Sequence, residues 1–212
     1  EVTCAYTNVS QDSDRTVRRV LMKESYAGQE QTMFPQATYE RYCEKTGQTI
    51  NTIASDKTGR TLINYSGKPG DYECISLVDV LQGKIDTRVF KDSIVLVGAY
   101  AAGMQDNFNV PNGGNQQMYG VEIHANILQA FMQNRFSVNG NPFLFGLLTG
   151  LVCAILHFVF KRTKIWLSTI LLIAGVAANL IAGVILNNNG IAISLIYAPL
   201  VLIVSYIYCL AI

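Results

Sequence analysis

The chain has 212 residues, with 16 Lys and Arg against 15 Asp and Glu, a formal net charge of +1. The charge is unevenly placed: all fifteen acidic residues precede Asn141, and beyond Pro142 the only basic residues are Lys161, Arg162 and Lys164. The first part therefore holds thirteen Lys and Arg against fifteen Asp and Glu, a net charge of −2, which gives no sign of the basic face that nucleic-acid binding needs.

The chain opens at Glu1 with neither an initiator Met nor a signal peptide. An export signal or a further transmembrane helix is expected upstream, and a cytoplasmic continuation beyond Ile212. Residues 12–22 read as polar turn residues followed by a strand over 16–22. Residues 34–45 approximate a helical stripe through Phe34, Ala37 and Tyr42, with Pro35 suited to the first turn. Residues 55–60 are turn-like, 61–65 read as a strand, and 66–71, with Gly67, Pro69 and Gly70, as a loop. Ser76 is placed to cap a short helix, 77–81, stopped by Gly83. The continuous apolar run Ile94-Val95-Leu96-Val97 predicts a strand covered on both faces. A loop from 101 to 117 follows. Gly120 then opens a helix over 121–134, with Val121, Ala125, Leu128 and Phe131 or Met132 at core spacing. This order predicts an α/β extracytoplasmic domain over residues 1–141, a sheet with flanking helices.

The loop after residue 97 draws attention because ligands gather beyond the carboxyl ends of strands in open α/β sheets. It offers Tyr100, Gln105, Asp106 and Asn107. With His124 on the next helix, these are the candidate ligand-binding residues. Gly98 and Gly103 have the spacing of a phosphate loop, but Met104 and Gln105 stand where Lys and Ser or Thr are required, so nucleotide binding there is rejected. Asp106, Glu122 and His124 are the one set to weigh for a metal. Glu122 and His124 are two apart and point about 200° apart on a helix, so no metal is expected. The plainer reading is that Asp106 organises its loop and His124 is hydrogen-bonded in the core. There is no Gly-X-Ser-X-Gly elbow, and His124 is the only conventional base outside the membrane. No catalytic residue and no cofactor is expected in this segment.

Cys153 and Cys209 fall in apolar stretches and read as packing residues. Cys4, Cys43 and Cys74 face the oxidising side, an odd number. A Cys43–Cys74 disulfide is expected, contributing roughly 3–4 kcal/mol in the chain-entropy model. Three free thiols are the alternative.

Residues 142–212 read as a three-helix transmembrane region with spans at 143–160, 165–186 and 191–212. At ~1.5 Å per residue these cover roughly 27, 33 and 33 Å, against a hydrocarbon core of ~30 Å. The connector at 161–164, Lys-Arg-Thr-Lys, is basic, whereas that at 187–190, Asn-Asn-Asn-Gly, is uncharged. Positive loops stay in the cytoplasm. This predicts a multi-pass protein of the cell membrane, with residues 1–141 outside and the 161–164 loop and C-terminus inside. Trp166, Tyr206 and Tyr208 suit an aromatic belt at the inner face. Gly146 and Gly150 form a GxxxG pair. Ala174, Ala178 and Ala182 share one face of the second span, with Gly175, Asn179 and Gly183 beside them. Such positions serve helix packing, either within the three-helix unit or at a seam between chains in a homodimer or higher oligomer. Pro199 is expected to kink the third span, and His157 to snorkel toward the interface.

Taken together, several segments resemble one family. Asp12-Ser-Asp14 running into Val17-Arg18-Arg19 resembles its opening motif. Ile63-Asn64-Tyr65 and Ile94-Val95-Leu96-Val97-Gly98 resemble its strands. Ala101, Asp106 and Pro111 resemble its loop, and Gly120-Val121-Glu122-Ile123-His124-Ala125-Asn126 is the closest match. Arg15 stands where that opening motif usually has Gly, and Val110 where the loop usually has Thr. The chain resembles the CHASE domain of type 2, the cyclase- and histidine-kinase-associated sensory module, which three membrane helices commonly follow. The resemblance implies a sensory input module of a bacterial receptor. Ligand or partner binding outside would be coupled through the spans to a cytoplasmic nucleotide cyclase or protein kinase. The family brings no catalytic residues. The rival expectation is a cell-surface assembly protein whose outer domain self-associates or docks on another protein, which the Asn- and Gln-rich 105–117 loop would also suit.

Overall fold

The structure, a computed structural model, describes residues 3–26 and 28–211, and the chain divides into two units between Phe136 and Ser137. In the first unit, Asp12 and Asp14 grip Arg18, with Nη2 donating to Asp14 Oδ2 at 2.7 Å and Nη1 to Asp12 Oδ2 at 3.3 Å. The turn between them closes where the Arg15 N–H donates to the Asp12 carbonyl at 2.8 Å, and Arg15 adopts φ 61°, the left-handed region that favours glycine. The chain then enters β1 (Arg19–Leu21). Strands β2 (Lys23–Tyr26) and β3 (Gln29–Thr32) form an antiparallel hairpin, pairing Lys23 with Thr32 and Ser25 with Glu30. This hairpin is not foreseen from the sequence, because its residues are polar on both faces and show no alternation.

Helix α1 (Phe34–Thr46) begins with Pro35 in its first turn and ends at Gly47, φ 69°, whose N–H donates to the Cys43 carbonyl. Strand β4 (Arg60–Ile63) pairs antiparallel with β1, Val20 opposite Thr61. The turn before it is organised by Asp56, whose Oδ1 accepts from the Thr58 and Arg60 amides at 2.7 and 3.0 Å. Helix α2 (Leu77–Leu81) is short and carries no buried residue; Ser76 precedes it without making a side-chain cap. After a 3₁₀ turn at Thr87–Phe90 come β5 (Asn107–Phe108) and β6 (Met118–Tyr119), antiparallel to each other, then α3 (Gly120–Met132) and β7 (Phe136–Asn139).

The core collects Val17, Val20, Met33, Tyr39, Ile63, Val110, Met118, Ile123, Ile127 and Phe131 between α1, α3 and the β1–β4 pair. Tyr39 stacks on Phe131 at 5.3 Å between ring centroids. Helix α3 is buried on more of its circumference than its stripe predicts: Ile123, Ile127 and Ala130 are fully enclosed, whereas Met132 is 45% exposed. The unit thus combines small antiparallel sheets with flanking helices.

The predicted strand at Ile94–Val97 is not formed. Its backbone pairs with no strand among the described residues, and Val95 and Val97 are 52% and 74% exposed. Leu96 alone reaches the core. An apolar run states a need for cover on two faces, and here only one face finds it.

In the second unit, Asn141 caps α4 (Pro142–Arg162), its Oδ1 accepting from the Phe143 and Leu144 amides at 3.0 and 3.4 Å. Helix α5 (Ile165–Asn188) follows. Both are long and apolar enough to cross a membrane. The third apolar stretch is not a single helix. Gly190 turns at φ 77°, β8 (Ile191–Ala192) pairs in parallel with β7, and α6 (Tyr197–Ala211) has 15 residues. That is roughly 22 Å, short of a ~30 Å core. Pro199 lies in the first turn of α6, where its missing N–H breaks no intrahelical bond, so it does not act as a mid-helix kink.

Within this unit α5 packs through the side that carries Gly175, Asn179 and Gly183. Ala174, Ala178 and Ala182 are exposed, and Gly183 is buried. A side-chain carbon at Gly175 would meet Leu202 Cδ1 at 3.3 Å, and one at Gly183 would collide with Leu195. Asn179, between them, has its buried Oδ1 unpaired. A side-chain carbon at Gly146 or Gly150 would meet nothing within 4 Å among the described residues. His157 does not snorkel: its Nδ1 pairs with Ser205 Oγ on α6 at 2.8 Å.

Candidate functional site

Helix α3 organises the polar architecture of the first unit. Its third residue, Glu122, is 3% exposed, and its carboxylate accepts from the Gly70 amide at 2.8 Å and the Tyr119 amide at 3.3 Å. One turn on, fully buried Asn126 accepts from the Gly67 and Ser66 amides at 2.9 and 3.1 Å and donates to the Glu122 carbonyl at 3.0 Å. Asn112 donates to the Gly67 carbonyl at 3.0 Å. These side chains clamp the 66–70 loop onto α3 and satisfy amides that have no ladder to join. Glu122 is therefore engaged by backbone amides, and no cluster of three metal-ligating side chains occurs among the described residues.

The opposite side of the helix start is open. Asp106 precedes β5 and its carbonyl accepts from the Gly120 amide at 2.9 Å. The Asp106 carboxylate lies on the α-carbon of Gly120: a methyl group there would come within 2.6 Å of both oxygens. Glycine is what lets the carboxylate rest on the first turn of α3, where the positive end of the helix dipole favours it. Four residues beyond Gly120, His124 is 8% exposed, its ring edge-on to Phe34 at 5.6 Å. Burial lowers the ring's pKa, outweighing the Thr7 backbone and the Asp106 charge, which both favour the protonated form. Its Nδ1 has no hydrogen-bond partner. Asp106, His124 and Gly120, together with Thr7, Asn8, Val9 and Phe108, line a cavity of about 280 Å³.

Two of the five candidate ligand residues thus meet at one cavity, and three do not line it. Tyr100 packs on Tyr119 at 4.4 Å, and its phenol is pushed up to about 12 by the Cys74 thiol first and burial second. Gln105 is exposed at φ 54°, and Asn107 donates to Gln117 Oε1 at 2.6 Å. The Thr7–Val9 wall carried no sequence signal, being a short polar stretch without periodicity. Of the clamp residues, Asn126 was visible only as a member of the Gly120–Asn126 motif, and Glu122 there and as a metal ligand weighed and set aside.

A larger cavity, about 550 Å³, opens beside α1 and the 50–59 segment. Its charged groups are already engaged, Lys23 with Glu30 at 3.0 Å and Glu40 with Gln36 at 2.8 Å. The smaller cavity is the better candidate because the Asp106 carboxylate that lines it pairs with no Lys or Arg among the described residues, and the buried His124 lies beside it. The expected Cys43–Cys74 disulfide is absent: both are free thiols, Cys43 on the buried face of α1 and Cys74 exposed. Cys43 is committed to the core beside Tyr39, whereas Cys74 sits against Tyr100.

No curated protein matches the chain, and no solved structure does. The family model of the CHASE2 domain matches residues 2–174, from the first unit through the opening turns of α5. The chain belongs to the CHASE2 domain family, non-catalytic sensory extracellular domains of signalling receptors.

Proposed function

We propose that this chain is the sensory input module of a transmembrane receptor, with residues 1–141 outside the cell and residues 142–212 in the bilayer. In this reading the 161–164 loop is cytoplasmic, and the output is a nucleotide cyclase or protein kinase. The observation that carries the reading is the meeting of Asp106 and His124 at one cavity over the start of α3. A ligand there touches the helix that anchors the 66–70 loop and the core. To signal, it must bind two arrangements of that helix with different affinity. In the full receptor, Asp106→Asn should abolish the response while the protein still reaches the membrane. Failure to reach the membrane would make Asp106 a folding residue and remove the reading. External labelling of Lys161 or Lys164 in intact cells would reverse the topology.

A second reading has its own observation. Leu77, Val78, Leu81, Val95, Val97 and Met104 are all more than half exposed, which suits an outer domain that self-associates or docks on another protein. Light scattering on purified, ligand-free protein separates the two: stable assemblies favour docking, monomers favour ligand sensing.

A further inference from the structure

Strand β7 stands where the chain passes from its first unit to its second. Its first residue, Phe136, belongs to the core of the first unit, its ring edge-on to Phe131 of α3 at 4.8 Å between centroids. Its last residues pair in parallel with β8, Val138 beside Ile191 and Asn139 beside Ala192. The Val138 N–H donates to the Gly190 carbonyl and the Gly140 N–H to the Ala192 carbonyl, both at 2.8 Å. A parallel pair this short is not stable by itself and needs packing around it. Gly140 supplies that packing: a side-chain carbon there would come within 2.6 Å of the Phe145 ring on α4 and 3.1 Å of Ile191 Cγ2. Strand β8 in turn separates α5 from α6. Residues 193–196, between β8 and α6, are in neither helix nor strand, yet Leu195 is laid so closely on Gly183 of α5 that a side-chain carbon there would collide with it. Further along, α6 is tied to α5 by the Tyr206 hydroxyl, 2.6 Å from Thr169 Oγ1, and to α4 by Ser205, 2.8 Å from His157.

We propose that β7 and β8 form a clasp that delivers a displacement of β7 to α6 as well as to α4. Without the clasp, β7 would act on the second unit only through α4, to which the chain joins it. With it, two backbone hydrogen bonds make β8 follow β7, and the seated link at Leu195 passes the movement to α6. Coupling of this kind needs a continuous physical path, and each step of this one is a bonded or packed contact. The proposal rests on the reading of the first unit as the sensory part for its purpose, but the clasp is tested with neither ligand nor output.

The test follows the ring ¹³C resonance of Tyr206 in the intact chain in lipid nanodiscs. Gly140→Val presses on Ile191 and is expected to shift that resonance. The same substitution is then made in a chain with two glycines inserted between Ala192 and Ile193, which keeps the β7–β8 bonds and puts slack ahead of α6. Substitutions that act through one element are non-additive, so the shift that Gly140→Val causes is expected to fall about threefold or more in the inserted chain. An equal shift in both backgrounds would mean that the displacement travels along α4 from Phe145. No shift in either would mean that β8 does not drive α6. Each of these results overturns the clasp and leaves the sensory reading of the first unit standing. If Gly140→Val does not fold, Ile191→Phe enlarges the same contact from β8 and is read in the same two backgrounds.

Discussion

Helix α3 and the Ile94–Val97 run are the two most apolar segments of the first unit, and the fold treats them in opposite ways. In α3, nine of thirteen residues are buried, including Glu122, His124 and Asn126. In the run, Val95 and Val97 stand in solvent and only Leu96 reaches the core. Close by, Gly98 touches α3 so tightly that a side-chain carbon there would come within 2.8 Å of Val121. The chain is thus laid on the helix through Leu96 and Gly98, with its alternate residues turned outward. A helix carries its own backbone hydrogen bonds and needs only packing. A strand needs a neighbour for its backbone as well as cover for its faces.

The sharpest way to break this contrast is at Asn126. Its side chain serves two loop amides and is fully buried. Asn126→Ala strands both donors and should cost about 3 kcal/mol, read from denaturant melts of the intact chain in detergent. A loss under about 1 kcal/mol would mean that the 66–70 loop is not held by α3. The next effect is at Gly120. Gly120→Ala drives a methyl group into the Asp106 carboxylate and should cost about 1–2 kcal/mol while moving Asp106 off the helix start. Wild-type stability with His124 still shielded would show that the carboxylate is free to step aside.

His124 supplies a prediction with a pH window. Its folded pKa lies below the ordinary value, so the fold prefers the neutral ring. Its stabilising contribution is complete above about pH 6.5, where the unfolded ring is also neutral. It is lost as pH falls from there through the depressed folded value. His124→Phe should flatten the stability profile in that interval, and an unchanged slope would assign the acid response to other groups. A smaller and opposite effect is expected at Arg15. A left-handed backbone costs an L-residue about 1–2 kcal/mol, and glycine returns part of the gain as chain entropy. Arg15→Gly should raise stability by about 0.5–1 kcal/mol by the same melts.

What the sequence made readable follows the same division. Helices α1 and α3, strand β4 and the Asp56 turn were legible because each carries its own local instruction: a stripe, a cap, an alternation, or an Asx side chain. Asp106 and His124 were legible one at a time, as an acid in a loop and a histidine on a helix. That they share a cavity depends on Gly120, which was legible as the residue that opens a helix but not as the seat of the Asp106 carboxylate. Tyr100, Gln105 and Asn107 were grouped with them by nearness in the chain, but the turn at Gln105 and the Asn107–Gln117 bond send them elsewhere. The third apolar stretch misled for a related reason. Hydropathy sums over residues and cannot see that Ile191 and Ala192 pair with Val138 and Asn139 before α6 begins.

The smallest expected effect tests the exposed half of the contrast. Val97 is 74% exposed, so replacing it by Thr removes almost no buried area. Its β-branched shape, which suits an extended chain, is retained. With the run bare, Val97→Thr should change stability by less than about 0.5 kcal/mol in dilute protein. The same substitution becomes informative as concentration rises. If the outward residues are covered by a second protein surface, the wild type gains stability with concentration and the Thr variant gains less, because binding to the folded state adds to its stability. A concentration-independent difference near zero would leave Val95 and Val97 as solvent-facing residues, and α3 as the only apolar element of the pair whose burial holds the unit together.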